Sequence, residues 1–371
     1  MSTTTRRVAE AEARAMLRAL ELAGLGVRGA NPLVGAVLLA PDGTVLGEGH
    51  HRGAGTPHAE PAALADAGDR GHDPRGGTMV VTLEPCNHTG RTGPCSEALI
   101  SAGVARVVFA ADDVNGPAAG GASRLRAAGV GCVGGVEAEA SKHLNERWTA
   151  SVVAGRPFVT LKSAQSLDGR VAAVDGSSQW ITGPEARADG HRLRALADAV
   201  LVGSGTVRDD DPRLTARGGA SGEEPAAGSG PALRVAMGLT PVPSEAAIRG
   251  AGFVHLPTRD VPAALDELFA RGVRHLLVEG GPRIAAAFLR AGVVDELVSY
   301  VAPVVLGDGA PAFPDLGIDS LAAAPRWSLD DAGGPAVRRL GADVRLHLRP
   351  PPPGEHAEPV PVSDAGRPDP R

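Results

Sequence analysis

Aromatic residues are scarce in this sequence, since Phe, Trp and Tyr together make up 3% of its 371 residues. Hydrophobic residues still reach 43% and charged residues 22%, which is typical of a globular protein with a core of Ala, Val and Leu. No apolar run approaches the roughly 18–20 residues that span a bilayer. The N-terminal stretch MSTTTRRVAEAEARAML also lacks the apolar segment of a signal peptide. We therefore expect a cytoplasmic protein with no membrane partner.

Basic residues are not in excess either. The chain has 37 Lys and Arg against 43 Asp and Glu, a formal net charge of −6. This balance argues against general nucleic-acid binding. An enzyme that acts on nucleic-acid strands would need a basic channel with interleaved aromatic side chains, and the first half of the chain has few aromatics. We expect no nucleic-acid partner.

Cysteine is limited to three residues, so a disulfide framework is not expected in a chain without an export signal. Cys132 lies in the apolar stretch VGCVGG, and we predict that it is a small core residue. Cys86 and Cys95 lie in the polar, turn-rich stretch EPCNHTGRTGPC. This setting is more typical of metal ligands or reactive thiols.

The length suits two domains of about 150–200 residues each. Predicted strands and helices alternate in both halves, which indicates layered α/β architecture. We predict one helix over 137–155, ended by Arg156-Pro157. The boundary therefore falls near residue 155, with one domain over 1–150 and a second over 156–348. The proline-rich tail, 350–371, is predicted to be disordered.

The stretch TPHAEPAAL places a histidine two residues before a glutamate. A catalytic zinc site takes three protein ligands and keeps a fourth position open. His58, Cys86 and Cys95 offer one nitrogen and two thiolates. Glu60 can then handle the protons of a water whose pKa the metal lowers toward about 7. Zinc nucleobase deaminases carry this H-x-E and P-C pattern, although here eight residues rather than two separate the cysteines.

Other interpretations of the same residues stay open at this point. A purely structural zinc needs a fourth protein ligand, and His88 is available. A zinc-stabilised binding protein without catalysis would show the same ligands. Two unrelated thiols in one loop would also explain the cysteines.

The second half contains a predicted strand, a Gly-Gly turn and a helix in HLLVEGGPRIAAAFL, residues 275–289. The backbone N–H groups at such a helix start favour phosphate, and Gly280 and Gly281 allow close approach. A turn that serves packing alone is equally compatible. The same two interpretations apply to VGSGTVRDDDP, residues 202–212.

Four segments together resemble the bifunctional riboflavin-biosynthesis deaminase/reductase family: NPLVGAVLL, HHRGAGTPHAE, VTLEPCNHTGRTGPC and LKSAQSLDGRVA…SQWITGPEAR. The resemblance covers roughly residues 10–348, and the eight-residue cysteine spacing is normal in that family. It implies an α/β fold class, with an N-terminal cytidine-deaminase-like three-layer domain and a C-terminal dihydrofolate-reductase-like domain.

The resemblance implies two reactions on a small-molecule pyrimidine ribonucleotide. The first is hydrolytic deamination of 2,5-diamino-6-(5-phosphoribosylamino)pyrimidin-4(3H)-one with Zn²⁺, held by His58, Cys86 and Cys95, and with Glu60 as proton shuttle. The second is reduction of the ribosyl group to ribityl by NADPH. Asn31, His51 and the 87–93 loop would shape the pyrimidine pocket. Taken alone, Asn31 equally suits a turn, and His51 is better read as a solvated loop residue. We also expect a homo-oligomer.

For the reductase half, the resemblance implies NADPH contacts at Ala164, Trp180, Thr206, Asp210, Gly281, Pro282, Arg283, Ile284, Ala285, Ala286 and Ala287. It implies substrate contacts at Ser178, Arg194, Leu214, Arg217 and Glu279, and it places Lys162 and Asp168 near this site. A guanidinium suits phosphate, but Arg194 alone would be read as a solvated helix face and Trp180 as core.

Two positions depart from the family pattern. Leu239 stands where a hydroxyl contact to the cofactor is expected, and Gln165 is bulkier than expected. They keep open an alternative, a monofunctional deaminase with a degenerate reductase domain.

Overall fold

The computed structural model describes residues 3–88, 93–116, 118–216 and 232–351. Arg217 and most of the tail predicted to be disordered, from residue 352 onward, lie outside the described residues. Within the described ranges, no helix has both the length and the apolar character needed to cross a membrane.

The first 157 residues alternate between strands and helices as predicted. In chain order the elements are α1 (Thr3–Ala23), β1 (Gly35–Leu39), β2 (Val45–His50), α2 (Ala59–Asp69), β3 (Thr78–Leu83), α3 (Cys95–Ala102), β4 (Arg106–Ala111), α4 (Gly121–Ala127), β5 (Gly131–Gly134), α5 (Ala138–Leu144) and α6 (Glu146–Ala154).

A five-stranded sheet in the order β2-β1-β3-β4-β5 forms the middle layer of this region. β1 runs antiparallel to β2 and β3, whereas β3, β4 and β5 are parallel. Ala36 and Leu38 point into a core cluster with residues of α2, α3 and α4, while Val37 and Leu39 point into a second cluster with α1. This alternation buries both faces of the sheet and confirms the predicted three-layer domain.

The helix predicted over 137–155 is interrupted, and this prediction was wrong. The break falls at Asn145, whose backbone leaves the helical range at φ −106° and ψ 13°. The buried side chain of Asn145 instead accepts a hydrogen bond from the N–H of Leu33 at 2.8 Å and donates to its carbonyl at 2.9 Å. A long-range pairing of this kind outweighs the local helical pattern.

The remaining elements, in chain order, are β6 (Phe158–Ser166), β7 (Arg170–Ala172), α7 (Pro184–Leu196), β8 (Ala199–Gly203), α8 (Ser204–Asp210), β9 (Leu233–Met237), β10 (Phe253–Leu256), α9 (Val261–Ala270), β11 (His275–Val278), α10 (Pro282–Arg290), β12 (Glu296–Ala302), β13 (Ala310–Pro311), a 3₁₀ turn (Leu321–Ala323), β14 (Ser328–Leu329), β15 (Val337–Leu340) and β16 (Asp343–Arg349). Strand β8 ends at Gly203, and α8 begins at the next residue.

The chain forms two compact units, one from residues 1–158 and 190–277 and the other from 159–189 and 278–371. The first unit holds the five-stranded sheet and also the strands β10-β9-β8-β11, of which β8, β9 and β10 are parallel. In the second unit the strand order is β6-β12-β16-β14, with β12 parallel to β6 and antiparallel to β16. The short strands β7 and β13 pair separately.

Candidate functional site

Three predicted metal ligands meet where β3 ends and two helices begin. His58 is the N-cap residue of α2, Cys86 follows β3, and Cys95 is the first residue of α3. The Nδ1 atom of His58 lies 3.6 Å from Sγ of Cys86 and 3.3 Å from Sγ of Cys95. All three ligand atoms lie within 4.8 Å of one another. The structure therefore brings together the imidazole and both thiols that the sequence pattern singled out.

The two thiols affect each other's ionisation. The hydrogen bond from Cys95 and the contact with His58 lower the pKa of Cys86 to about 4, and the N–H of Cys95 adds a further hydrogen bond at 3.4 Å. The same bond to Cys86, together with burial, raises the pKa of Cys95. A coordinated cation deprotonates thiols outright, so a bound metal would hold both cysteines as thiolates.

The donor set fits zinc. Zn²⁺ accepts thiolate sulfur and imidazole nitrogen, and catalytic sites use three protein ligands. Both cysteines are buried and form no disulfide. Among the described side chains, the group that meets in this way has three members, and His88 is not one of them. The purely structural alternative therefore lacks its fourth ligand within this part of the chain.

Glu60 lies in the first turn of α2 and is 3% exposed. Burial raises the pKa of its carboxyl to about 7. A carboxyl with a pKa near the working pH can both accept and release a proton. Its position beside the three ligands matches the proton-shuttle role predicted from the sequence.

A cavity of about 130 Å³ opens onto this cluster and is lined by His58, Glu60 and Cys86. Asn31 and His51 also line it, with Asn31 Nδ2 lying 2.8 Å from His51 Nε2. The Nδ1 atom of His51 lies 3.0 Å from the carbonyl oxygen of Pro57. His51 is 3% exposed, so its interpretation as a solvated loop residue was wrong.

Asp113, Asn115 and Trp148 also line this cavity, and none of them was predicted as a site residue. The first two follow β4, which is parallel to β3, so they lie at the sheet edge where Cys86 follows β3. That adjacency was the available signal, because ligands bind beyond the carboxyl ends of parallel strands. The indole N–H of Trp148 donates to the carbonyl of Ala30 at 3.1 Å. Trp148 lies on α6, which begins directly after the break at Asn145, and no local pattern reveals that break.

A second group of possible ligands, Glu296, Asp330 and His347, lies in the other unit. Here Nε of Arg349 is 2.6 Å from Oδ2 of Asp330. Thr160 also donates to Glu296 at 2.6 Å. The Arg349 guanidinium already neutralises negative charge on these acids. The group is therefore a buried ion-pair cluster rather than a metal site.

Several residues predicted for the reductase reaction lie in the unit formed by 159–189 and 278–371. Glu279 directly follows β11, and its Oε2 atom is 3.9 Å from Nζ of Lys162. Ala164 lies on β6, opposite Tyr300 of β12. Gly281 is the N-cap of α10 and has no side chain to cap the first helical N–H groups. This helix start suits a phosphate of NADPH.

The other residues of α10 predicted to contact NADPH are not equally accessible. Pro282, Ile284 and Ala287 are partly exposed and Arg283 is exposed, whereas Ala285 and Ala286 are buried in the core. Trp180 is 69% exposed, so the core-packing interpretation of this residue was wrong. The guanidinium of Arg187 lies 4.8 Å from its ring centroid. Ser178, two residues before Trp180 in the sequence, is partly buried.

Four further residues predicted for the reductase reaction, Arg194, Thr206, Asp210 and Leu214, lie in the unit that also holds the zinc-ligand cluster. Thr206 and Asp210 are on α8, partly buried and exposed respectively. Arg194 is partly exposed on α7, and it donates to the carbonyl of Thr215 at 3.3 Å. Leu214 is buried and has a positive φ of 52°.

The two departures from the family pattern have different settings. Leu239 follows β9 and is 57% exposed, with the exposed Thr240 beside it. Gln165 lies on β6, and its Oε1 atom is buried without a hydrogen-bond partner within the described residues.

The fold and the site define a class of protein in which a zinc-binding deaminase region is followed by a reductase domain. Residues 9–111 match the family profile of the cytidine and deoxycytidylate deaminase zinc-binding region, and residues 157–333 match the RibD C-terminal domain. The chain belongs to the RibD family of bifunctional deaminase/reductases. Zn²⁺ and NADPH are the cofactors of these two domains.

Relatives match along most of the chain. The riboflavin biosynthesis protein RibD of Mycobacterium tuberculosis (strain H37Rv) is 45% identical over 324 residues, 85% of this chain and 90% of that protein. The RibD protein of Escherichia coli K12 is 38% identical, and the match covers 90% of this chain and 98% of that protein. The structure of Acinetobacter baumannii RibD (form 2) has a TM-score of 0.80 at 34% identity, covering 92% of this chain and 99% of that one. A Thermotoga maritima deaminase/reductase structure has a TM-score of 0.74 at 32% identity, with the same coverage.

Proposed function

We propose that this chain catalyses two successive reactions of riboflavin biosynthesis. It removes the 2-amino group of 2,5-diamino-6-(5-phosphoribosylamino)pyrimidin-4(3H)-one by hydrolysis. It then reduces the ribosyl group of the product to ribityl. The observation that carries this proposal is the meeting of His58, Cys86 and Cys95 beside the buried Glu60, in a chain that also contains a RibD reductase domain.

The deaminase residues have distinct roles. His58, Cys86 and Cys95 would hold the zinc ion, which lowers the pKa of water and so supplies a nucleophile at neutral pH. The Glu60 carboxylate would take one proton from the attacking water and pass it to the ring nitrogen. It would then pass a second proton, from the hydroxyl group that the attack places on the ring carbon, to the amino group, which leaves as ammonia while the ring carbonyl forms. Asn31 and His51 line the cavity and orient the pyrimidine through the hydrogen bond that fixes them to each other.

The reductase residues bind and orient two partners. Gly281 and the residues after it at the start of α10, with Ala164, Trp180, Thr206 and Asp210, would hold NADPH, which supplies the hydride. Ser178, Arg194, Leu214, Arg217 and Glu279 would bind the nucleotide, the arginines through its phosphate. Holding the two reactants in line is the main contribution of such a site.

The deaminase domain would comprise residues 1–150 and the reductase domain 156–348. The protein would work in the cytoplasm as a homo-oligomer and act on a small nucleotide rather than on nucleic acid. The two matching family profiles, which end and begin on opposite sides of residue 155, support this division.

Product analysis tests the function directly. Pure zinc-loaded protein is incubated with the diaminopyrimidine nucleotide, with and without NADPH, and the products are identified by mass. We expect the deaminated nucleotide without NADPH and the ribityl product with it. Deamination without any NADPH oxidation would instead favour the degenerate-reductase alternative, which Leu239 and Gln165 motivated.

A further inference from the structure

A continuous chain of contacts leads from the predicted substrate residue Glu279 into the core of its unit. Lys162 Nζ lies 3.9 Å from Oε2 of Glu279 and 5.7 Å from the ring centroid of Tyr300. The hydroxyl of Tyr300 donates to Oδ2 of Asp189 at 2.7 Å. Each contact involves side chains of the same compact unit.

Strand register explains why these groups meet. β6 and β12 are parallel, and their pairing sets Lys162 opposite Val298 and Ala164 opposite Tyr300. Alternate residues of a strand point to one face, so Lys162, Ala164 and Tyr300 share a face of the sheet. Ala164 is a predicted NADPH contact. Tyr300 thus lies beside positions used by both the predicted cofactor site and the predicted substrate site.

The hydroxyl of Tyr300 is committed to Asp189. Tyr300 is 1% exposed, and burial together with this hydrogen bond raises the pKa of the phenol. Nε of Arg345 lies 3.2 Å from the same Asp189 oxygen, which keeps the carboxylate in place. The phenol therefore stays protonated and is not available as a proton donor to substrate. The aromatic face of Tyr300 is therefore the part of the side chain that interacts with the Lys162 ammonium.

We propose that Tyr300 is a positioning residue of the reductase site, whose ring, anchored through its hydroxyl by Asp189, holds the Lys162 ammonium beside Glu279. Lysine has a long flexible stem, and attraction to an aromatic face restricts where its charge lies. This inference rests on the proposed reductase function and on Glu279 as a substrate contact. It adds Tyr300 and Asp189, neither of which was among the predicted site residues.

A double-mutant cycle tests the inference. Wild type, Tyr300→Leu, Lys162→Met and the double variant are compared by the Kd of the deaminated nucleotide, measured by calorimetry, and by kcat/KM for NADPH oxidation. We expect Tyr300→Leu to weaken binding and kcat/KM by about tenfold when Lys162 is present, and by less than about twofold in the Lys162→Met background. Tyr300→Phe keeps the ring and loses the anchor, so it should lose only about two- to threefold.

Equal effects of Tyr300→Leu in both backgrounds would overturn the inference, because a structural role does not depend on Lys162. Ammonia release by the deaminase should be unchanged in every variant and reports that the chain has folded. Should Tyr300→Leu fail to fold, the cycle run with Tyr300→Phe decides by the same criterion. If wild type itself binds no nucleotide and oxidises no NADPH, the proposed reductase function fails; if wild type is active and the cycle is additive, only the role of Tyr300 fails.

Discussion

The Nδ1 atom of His58 lies 3.3 Å from Sγ of Cys95, although 37 positions separate the two residues in the sequence. His58 precedes α2 and Cys95 opens α3, and both helices pack into the same core cluster against the five-stranded sheet. The close approach is thus set by the packing of two helices on one face. Cys95 stands at a helix start, where the helix dipole favours the thiolate, the form of cysteine that binds a metal.

Removing either thiol should remove the metal. We expect Cys86→Ser and Cys95→Ser to lower zinc affinity by more than about 100-fold, since even residues that merely support a ligand cost 10–100-fold. Elemental analysis after gel filtration measures the bound zinc. Cys132→Ser is the matched control, because this third cysteine lies on β5, away from the cluster, and should leave zinc at one ion per chain. Full zinc occupancy in Cys95→Ser would contradict the site.

Glu60→Gln should separate metal binding from catalysis. The amide keeps the size of the side chain but cannot take a proton, so we expect zinc to be retained and the rate of ammonia release to fall by about 10²–10⁴-fold. Glu97→Gln is the control, since Glu97 on α3 pairs with Arg124 of α4 and is not among the residues that line the cavity. Continued ammonia release by Glu60→Gln would show that another group moves the proton.

The pH dependence of deamination should follow Glu60. Burial raises the pKa of this carboxyl from 4.5 to about 7, while the positive charge of a bound metal acts in the opposite direction. The carboxylate is the working form, so activity is lost as the pH falls through the pKa of Glu60. We expect an acid limb of kcat/KM between these two values, measured over about pH 4 to 8 with zinc content checked at each pH. A flat profile at constant zinc content would contradict the assignment.

The sequence was enough to predict that His58, Cys86 and Cys95 meet, because short motifs carry them. His58 and Glu60 are two residues apart, and the two cysteines bound a single loop, so chemistry and spacing were visible without a fold. Trp148 was not visible as a cavity residue, because its position depends on the pairing of Asn145 with the backbone of Leu33, 112 residues away. His51 likewise looked like a loop residue, and only tertiary packing buries it. Local pattern predicts elements and motifs, whereas long-range hydrogen bonds decide which side chains share a cavity.

Gly121, the first residue of α4, supports the metal site through its lack of a side chain. A Cβ atom there would lie 1.7 Å from the carbonyl oxygen of Pro85, the residue before the ligand Cys86. The next residue, Ala122, donates its N–H to Glu84 at 2.9 Å, so the helix start and the 84–86 segment are also joined by a hydrogen bond. Because both sides of this contact are backbone, neither can move away as a flexible side chain would.

Gly121→Ala should therefore displace Cys86 and weaken zinc binding by about 10–100-fold, the cost typical of losing support for a ligand. We also expect overpacking to destabilise the fold by about 1–3 kcal/mol, despite the higher helix propensity of alanine. Gly68→Ala is the matched control within α2, where no atom lies within 4 Å of the new Cβ. That variant should gain about 0.5–1 kcal/mol and bind zinc as wild type does. Competition with a chromogenic chelator measures affinity and thermal unfolding measures stability. Wild-type zinc affinity in Gly121→Ala would show that the contact with Pro85 does not position Cys86.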